Sequence, residues 1–245
     1  MLEVFSGAIA LIEITSSTEL PANREALTLF TSDNLKLVGE LATPILNKPK
    51  AVLLTLHPLP THGGFMDSHI LRKAANRLPA MADLAVLRFN TRGTESPHGK
   101  SEGGFGDGID EERDFEAALE FLTSRDLGPI WLVGWSFGTE LAIKYGFNKD
   151  IAGAILLSPP LRRAGEHDLV KWAGNGKSLI ALIPEHDEYL PPAAAIERFS
   201  VLPEADVIAV DGAKHLWVGE SATKRVLNEI VRAVNPTKYP LPESF

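Results

Sequence analysis

Residues 129–139 read Pro-Ile-Trp-Leu-Val-Gly-Trp-Ser-Phe-Gly-Thr, an apolar run followed by a Gly-x-Ser-x-Gly pattern. The run from Ile130 to Val133 predicts a short buried strand, and the residues from Thr139 onward predict a helix with one apolar face. A sharp turn between the two leaves no room for large side chains near the serine, so glycines stand two residues away on either side. This order favours a nucleophile elbow with Ser136 at its tip over an ordinary glycine-rich connection.

Composition limits the kind of protein that this chain forms. Its 245 residues are 44% hydrophobic, which is enough to bury one large core, so we expect a single domain over residues 1–245. The net charge is -8, and no run of Lys and Arg is long enough to follow a nucleic-acid backbone. The absence of cysteine excludes disulfides, thiolate catalysis and Cys-ligated metals. We therefore expect a small-molecule partner and no nucleic acid.

Residues 1–23 are predicted to form an N-terminal arm or an extra strand. The apolar stretch from Val4 to Ile14 is interrupted by Glu13, follows Glu3 and lacks the basic start of a processed leader. It is also too short to span a bilayer. We expect no membrane span and a cytoplasmic location.

The rest of the chain alternates between buried apolar runs and helical patterns. Residues 25–31 and 35–41 alternate in polarity on either side of Ser-Asp-Asn, which predicts an antiparallel hairpin. Strands are then predicted at 51–56, 84–89, 130–133, 151–157, 179–183 and 207–210. Helices are predicted at 67–78, 110–124, 139–147, 193–199 and 221–234. This alternation indicates an α/β fold, with a mostly parallel sheet and helices on both faces.

The glycine-rich segment 103–108 is predicted to be a flexible surface loop. It matches neither the dinucleotide-binding fingerprint nor the P-loop, and it lacks the Lys followed by Ser or Thr that ends a P-loop. The acids Asp110, Glu111 and Glu112 follow it in the first turn of a predicted helix, where the helix dipole favours negative charge.

A serine nucleophile needs a base to accept its proton and an acid to orient that base. In parallel sheets, reactive groups gather at the carboxyl ends of the strands. Of seven histidines, His215 lies in a short loop between the last predicted strand and the last helix, and we predict it to be the base. His57 also ends a strand, but with Pro58 after it we expect it to shape a loop. The others, predicted at the surface, in loops or beside the candidate acid, are His62, His69, His98, His167 and His186.

Three acids compete for the orienting role in the loop before the proline-started helix. They are Glu185, Asp187 and Glu188, of which Asp187 is central and favoured. The alternative for Asp187 is a cap at the start of that helix. The order Ser136, Asp187, His215 is the one expected when the nucleophile sits in a strand-to-helix elbow.

Two backbone amides are predicted to stabilise the negative oxygen that forms on attack. The first is that of Phe137, directly after the nucleophile. The second is expected from the loop after the strand at 51–56. Leu59 is favoured there because the prolines on either side of it have no N–H, and Gly63 and Gly64 remain as alternatives.

Taken together, these blocks resemble the α/β-hydrolase superfamily over about residues 25 to 235, in particular small bacterial serine hydrolases of the serine aminopeptidase-like and dienelactone hydrolase-like kinds. The resemblance implies an α/β-hydrolase fold with a central, mostly parallel sheet, an N-terminal antiparallel hairpin and helices on both faces. It also implies esterase, lipase, thioesterase or peptidase chemistry. The matching blocks are His57-Pro58 with Gly63-Gly64, Arg88 to Ser96, the elbow around Ser136, and Asp187 with His215.

The chain departs from several relatives in informative ways. Dienelactone hydrolases proper have Cys as nucleophile, and haloalkane dehalogenases and epoxide hydrolases have Asp, whereas this chain has Ser136. Arg92-Gly93 corresponds to a pair usually interpreted as structural, with substrate contact by Arg92 as a less favoured alternative.

The segment between the strands at 151–157 and 179–183 is about twenty residues long, too short for the cap domain that many relatives insert there. We therefore expect no separate cap domain and an open site. Leu161, Arg162, Arg163 and Trp172 are expected near its entrance. Either arginine is a candidate for binding a substrate carboxylate; the favoured alternative is that the arginines are solvated and the tryptophan is packed.

The sequence thus predicts a serine hydrolase for carboxylic esters or related acyl compounds, with a triad of Ser136, Asp187 and His215 and no metal or organic cofactor. A peptidase or acyltransferase with the same triad is one alternative. A hydrolase-fold binding protein without turnover is the other. The oligomeric state is left open.

Overall fold

The computed structural model describes residues 11–245. Its strands are β1 Asn23–Phe30, β2 Lys36–Thr43, β3 Ala51–Leu56, β4 Leu84–Phe89, β5 Glu95–Ser96, β6 Gly99–Lys100, β7 Ile130–Trp135, β8 Ile151–Leu157, β9 Ser178–His186 and β10 Asp206–Lys214. Its α-helices are α1 His69–Ala82, α2 Glu111–Thr123, α3 Phe137–Tyr145, α4 Glu166–Leu169, α5 Pro192–Phe199 and α6 Glu220–Val234. The predicted single-domain organisation stays a prediction.

All of these strands except β5 and β6 form one sheet, in the order β1-β2-β4-β3-β7-β8-β9-β10. β1 and β2 pair antiparallel, as do β2 and β4. From β4 to β10 every neighbouring pair is parallel. The predicted hairpin and the mostly parallel sheet are therefore confirmed, and the carboxyl ends of β3, β7, β8, β9 and β10 point to the same edge.

Helices cover both faces of the sheet. β3 shows this most clearly, because all six of its residues are buried. Its neighbours Leu53 and Leu54 point to opposite faces and belong to different apolar clusters. Leu54 packs in the cluster with α2 and α3, and Leu53 in the cluster with α1 and α6. A strand enclosed in this way reads as an unbroken apolar run in the sequence.

The ends of several elements differ from the predicted ones. β7, β9 and β10 continue past the predicted apolar runs, to Trp135, His186 and Lys214. α3 begins two residues earlier than predicted, directly after Ser136. α4 was not predicted, because four residues are too few to show a helical period.

The segment between β8 and β9 holds only α4 and a single 3-10 turn, Val170–Trp172. No cap domain is therefore inserted between these two described strands, as predicted.

The predicted N-terminal arm falls partly on residues 1–10, which lie outside the described residues. Within the described part, the backbones of Ile12 and Phe245 exchange hydrogen bonds, so the start of this part pairs with the C-terminal residues. None of the helices in residues 11–245 has the length and apolarity needed to cross a bilayer.

Candidate active site

The turn between β7 and α3 holds Ser136 in a conformation that few residues adopt, with φ 51° and ψ -115°. The glycines around it are required by close contacts. A Cβ on Gly138 would lie 2.0 Å from the carbonyl oxygen of Leu56 in β3, and one on Gly134 would lie 2.6 Å from the carbonyl oxygen of Gly138. The Gly-x-Ser-x-Gly pattern is thus explained by the crowding of β3, β7 and α3 at the turn.

The carboxyl ends of β7, β9 and β10 bring three predicted side chains into one hydrogen-bonded row. The Oγ of Ser136 lies 2.9 Å from Nε2 of His215. The Nδ1 of His215 lies 2.9 Å from Oδ2 of Asp187. His215 follows β10 directly, and Asp187 follows β9 directly. The side chains of His215 and Asp187 are only 6% and 2% exposed, which shields their interaction from water.

Electrostatics fixes the direction of the protons in this row. Burial raises the pKa of Asp187, but hydrogen bonds from His215 and from the backbone amides of Tyr189 and Leu190 outweigh it, so the pKa lies below its usual range. The carboxylate is therefore ionised at neutral pH and accepts the Nδ1 proton of His215. Nε2 is then left as the acceptor for the hydroxyl proton of Ser136.

The other acids of this loop lie elsewhere. Glu185 is exposed and accepts a hydrogen bond from the backbone amide of Gly212, and Glu188 is exposed. The residue before α5 is Pro191, so Asp187 does not cap that helix. Of the three candidate acids, the structure brings Asp187 to His215.

A buried polar group that the sequence did not single out supports the loop of His215. The hydroxyl of Ser158, just past β8, donates to the carbonyl of His215 over 3.1 Å and accepts from the indole of Trp217 over 2.9 Å. The indole of Trp135 donates to the same carbonyl over 3.1 Å. Ser158 stands at the carboxyl end of a predicted strand, and that position was the available signal.

The loop after β3 presents one free amide to the site. Gly63 and Gly64 donate their N–H groups within the loop, to the carbonyls of Pro60 and Leu59. The N–H of Leu59 has no acceptor among residues 11–245. Phe137 begins α3, where first-turn N–H groups have no acceptor inside the helix. Leu59, Phe137 and Ser136 all line the same cavity.

His57 holds this loop in place, as the sequence suggested. Its Nε2 accepts from the backbone N–H of Thr91 over 3.1 Å, so Nδ1 carries the proton and donates to the carbonyl of Pro58 over 2.7 Å. Burial lowers the pKa of His57 to about 4, so the ring is neutral at pH 7. Because C=O and N–H of a trans peptide point in opposite directions, fixing the Pro58 carbonyl also orients the Leu59 N–H.

Arg92 is a structural residue in this fold. Its guanidinium donates to Asp114 over 2.8 Å and to Asp33 over 3.0 Å, and its backbone N–H donates to Asp114 as well. A Cβ on Gly93 would lie 2.8 Å from the Cα of Gly104, so the pair joins the end of β4 to the glycine-rich loop.

Glu111, the first residue of α2, holds the glycine-rich loop 103–108 through hydrogen bonds. The buried carboxylate of Glu111 accepts the backbone N–H groups of Gly106 and Gly108, both over 2.8 Å. Glu111 thus has a more specific role than an interaction with the helix dipole.

The cavity beside Ser136 has a volume of about 160 Å³, and both candidate arginines line it. The buried carboxylate of Glu140, on α3, accepts the backbone N–H groups of Arg162 and Arg163 over 2.8 and 2.9 Å and also that of Ala164. This ties the arginine segment to the helix that begins after the nucleophile.

Trp172 does not line the entrance. It is 2% exposed and donates its indole N–H to the carbonyl of Ile143, because its ring fills the core under α3. The alternative of a packed tryptophan is therefore the right one.

The remaining polar groups are spread over the molecule. His62 is exposed and lines the cavity, whereas His69 is half-buried and donates from Nε2 to the carbonyl of Leu216. His98, His167 and His186 each face a neighbouring carboxylate.

A larger open depression of about 590 Å³ lies between α1 and the start of α6, and Ser136, Asp187 and His215 do not line it. In residues 11–245 no group of three or more His, Asp or Glu side chains is arranged to hold a metal ion.

Comparison with known proteins identifies the family. The sequence model of the Alpha/beta hydrolase family matches residues 53–181, more than half of the chain, from β3 into β9. The chain belongs to this family. The elbow at Ser136 lies inside the matched region, whereas Asp187 and His215 lie beyond it.

Among curated proteins, the chain is 30% identical over 120 residues to the uncharacterized protein RP471 of Rickettsia prowazekii. The match covers 48% of each sequence. The chain therefore spans about half the length of the curated relative that it matches.

Solved structures extend the likeness to nearly the whole chain. XC6422 from Xanthomonas campestris, a serine hydrolase without a lid, superposes with a TM-score of 0.71 at 21% identity, over 92% of this chain and all of that one. A serine hydrolase homologue from Coxiella burnetii gives 0.71 at 22% identity, over 89% and 100%. The Pyrococcus furiosus esterase Pf2001 gives 0.65 at 22% identity, over 87% and 93%. At these identities the likeness shows the fold, and the predicted α/β-hydrolase fold is confirmed.

Proposed function

We propose that the protein is a serine hydrolase that cleaves carboxylic esters through an acyl-enzyme on Ser136. The observation that carries this proposal is the hydrogen-bonded row of Asp187, His215 and Ser136, which ends at a cavity where the amides of Leu59 and Phe137 are free. A nucleophile, a base, an oriented acid and two donors for a negative oxygen are the parts that acyl transfer needs.

Each part has a defined step in this reaction. Nε2 of His215 takes the hydroxyl proton as Oγ of Ser136 bonds to the ester carbon, and the amides of Leu59 and Phe137 stabilise the oxyanion. The C–O bond to the alcohol then breaks, and the alcohol leaves with the proton from Nε2. Water next gives a proton to Nε2 and attacks the acyl carbon. The C–Oγ bond then breaks, Nε2 returns the proton to Oγ of Ser136, and the acid leaves. Asp187 stays ionised throughout and stabilises the imidazolium.

A peptidase or an acyltransferase is the second candidate, because the same parts serve amide substrates and alcohol acceptors. A binding protein without turnover is less well supported, since binding alone does not require Asp187 to orient His215 towards Ser136. Steady-state assays with 4-nitrophenyl butyrate, 4-nitroanilide analogues and added alcohol acceptors separate these three activities.

Substitutions of Ser136, His215 and Asp187 test the proposal directly. We expect Ser136→Ala and His215→Ala to lower kcat for 4-nitrophenyl butyrate by about a thousandfold or more, because members of a triad act as a unit. Asp187→Asn is expected to lower kcat by a similar factor, since it leaves His215 in the wrong tautomer. Ser124→Ala, an exposed serine at the end of α2, and Glu188→Gln are the matched controls and should keep wild-type rates. Equal activity in Ser136→Ala would contradict the mechanism.

A further inference from the structure

We propose that this site selects acyl compounds that carry a second, negatively charged group, a carboxylate, and that Arg162 binds it. The inference rests on the proposed function, because it names the substrate class of the same cavity. Arg162 and Ser136 line this one cavity of about 160 Å³. A substrate with its carbonyl at Ser136 therefore places a carboxylate a few bonds away in the same cavity as Arg162.

The guanidinium of Arg162 has no ionic partner among residues 11–245, and its N–H groups donate no hydrogen bond there. Its neighbour Arg163 differs, because its guanidinium donates to the carboxylate of Asp107 over 2.8 Å. No Asp or Glu lines the cavity. A chain with a net charge of -8 thus places an arginine without a counter-ion in a cavity free of carboxylates. The positive charge of Arg162 in this cavity complements the negative charge of an anionic substrate.

Arg162 is exposed, as the favoured alternative of a solvated arginine expects, and one contact fixes its backbone while another fixes its guanidinium. Its backbone N–H donates to the buried carboxylate of Glu140 over 2.8 Å. Its guanidinium lies 4.8 Å from the centre of the Tyr189 ring, and that ring meets the imidazole of His215 edge-on at 4.5 Å. The Arg162 guanidinium is therefore stacked on the Tyr189 ring, which also contacts the imidazole of His215. Pre-positioning of this kind lowers the entropy that is lost when a carboxylate binds.

The test compares two esters that differ in one charge. They are the mono-4-nitrophenyl ester of adipic acid and the same compound with its free carboxylate blocked as a methyl ester. Acyl chain, leaving group and scissile bond are the same, so the ratio of the two kcat/KM values reports the contribution of the carboxylate. We expect wild-type protein to prefer the acid, and we expect added NaCl to reduce this preference, because salt screens an exposed ion pair.

Substitutions assign the preference to one residue. Arg162→Gln is expected to lower kcat/KM for the acid, mainly through KM, about 10-fold more than it lowers kcat/KM for the methyl ester, because a charge-assisted pair is lost for the acid alone. Arg162→Lys should restore part of the loss by keeping the charge without the planar fork. Arg72→Gln removes a charge from α1 outside the cavity and should leave the ratio unchanged.

The outcomes separate this inference from the proposed function. Hydrolysis of both esters at equal rates by wild-type protein, or an equal loss for both in Arg162→Gln, would overturn the carboxylate site and leave the serine mechanism standing. If wild-type protein hydrolysed neither of the two esters, this would count against the serine mechanism. Calorimetric binding of monomethyl adipate to Ser136→Ala needs no turnover, and we expect Arg162→Gln in that background to weaken it about 10-fold. Equal binding with and without Arg162 would overturn the inference.

Discussion

At the scale of single residues, Ser136 has a backbone conformation that few residues adopt. Its φ of 51° with ψ of -115° is a combination that side chains disfavour. Such strain persists only where the surrounding structure enforces it, here through the contacts of Gly134 and Gly138 with their neighbours. The strain lifts the hydroxyl of Ser136 to His215.

This strain predicts a difference between two inactive variants. Ser136→Gly should be more stable than Ser136→Ala by about 1 kcal/mol, because glycine relieves roughly 1 to 3 kcal/mol of backbone strain and loses up to about 1 kcal/mol through its more flexible unfolded state. Chemical denaturation of the two variants measures the difference. If the alanine variant were the more stable of the two, the backbone of residue 136 would not be strained.

At the scale of elements, α3 connects the nucleophile to the substrate-facing loop. The helix begins directly after Ser136, and its Glu140 accepts the backbone N–H groups of residues 162, 163 and 164. The carboxylate is 0% exposed and replaces the water that these amides would otherwise bind. A change at Glu140 therefore acts on Arg162 through its backbone N–H.

We expect Glu140→Gln to lower the free energy of unfolding by about 2 kcal/mol, because the amide has one oxygen for three N–H donors and turns an NH₂ group towards one of them. The ratio of kcat/KM between the acidic and the methyl adipate esters should also fall. Glu112→Gln, an exposed acid in the first turn of α2, is the matched control. Wild-type stability in Glu140→Gln would show that the carboxylate does not hold this segment.

The accuracy of the sequence prediction differs between elements for physical reasons. β3, β4 and β8 were predicted with their observed ends, because helices cover both faces of these strands and their residues are apolar or small except for Arg88 in β4. β9 and β10 were predicted too short. Their last residues are polar and lie at the edge of the sheet that carries the site, so the apolar pattern ends before the hydrogen bonding does.

At the scale of the whole molecule, the site is formed by residues far apart in the chain. His215 and Ser136 are 79 residues apart, yet the parallel order of the sheet brings their strand ends to the same edge. That rule made the meeting of Ser136, Asp187 and His215 predictable from one sequence, while their catalytic roles stay a proposal. For Ser158 the sequence offered only its position at the end of a predicted strand, and for Glu140 it offered no signal, because both roles depend on which backbone groups the folded chain leaves without partners.

The buried His57 makes stability depend on pH. Its pKa falls from 6.5 to about 4 on folding, so below pH 6.5 the unfolded chain binds a proton that the folded protein excludes. This site therefore lowers the free energy of unfolding as the pH falls from 6.5 to 4, by as much as about 3 kcal/mol.

His57→Asn, which does not titrate, should lack this part of the pH dependence. Urea unfolding of both proteins at pH 7 and pH 4 measures it, and we expect the stability gap between them to narrow or reverse at the lower pH. A gap that is the same at both pH values would contradict a neutral, buried His57.

Covalent labelling tests most directly whether Ser136 is a nucleophile activated by His215. Wild-type protein is incubated with a fluorophosphonate, and the modified peptide is mapped by mass spectrometry. We predict one adduct, on Ser136, that forms at least about 100 times more slowly in His215→Ala and is absent from Ser136→Ala. Folded wild-type protein that stays unlabelled, or an adduct on another residue, would contradict the account.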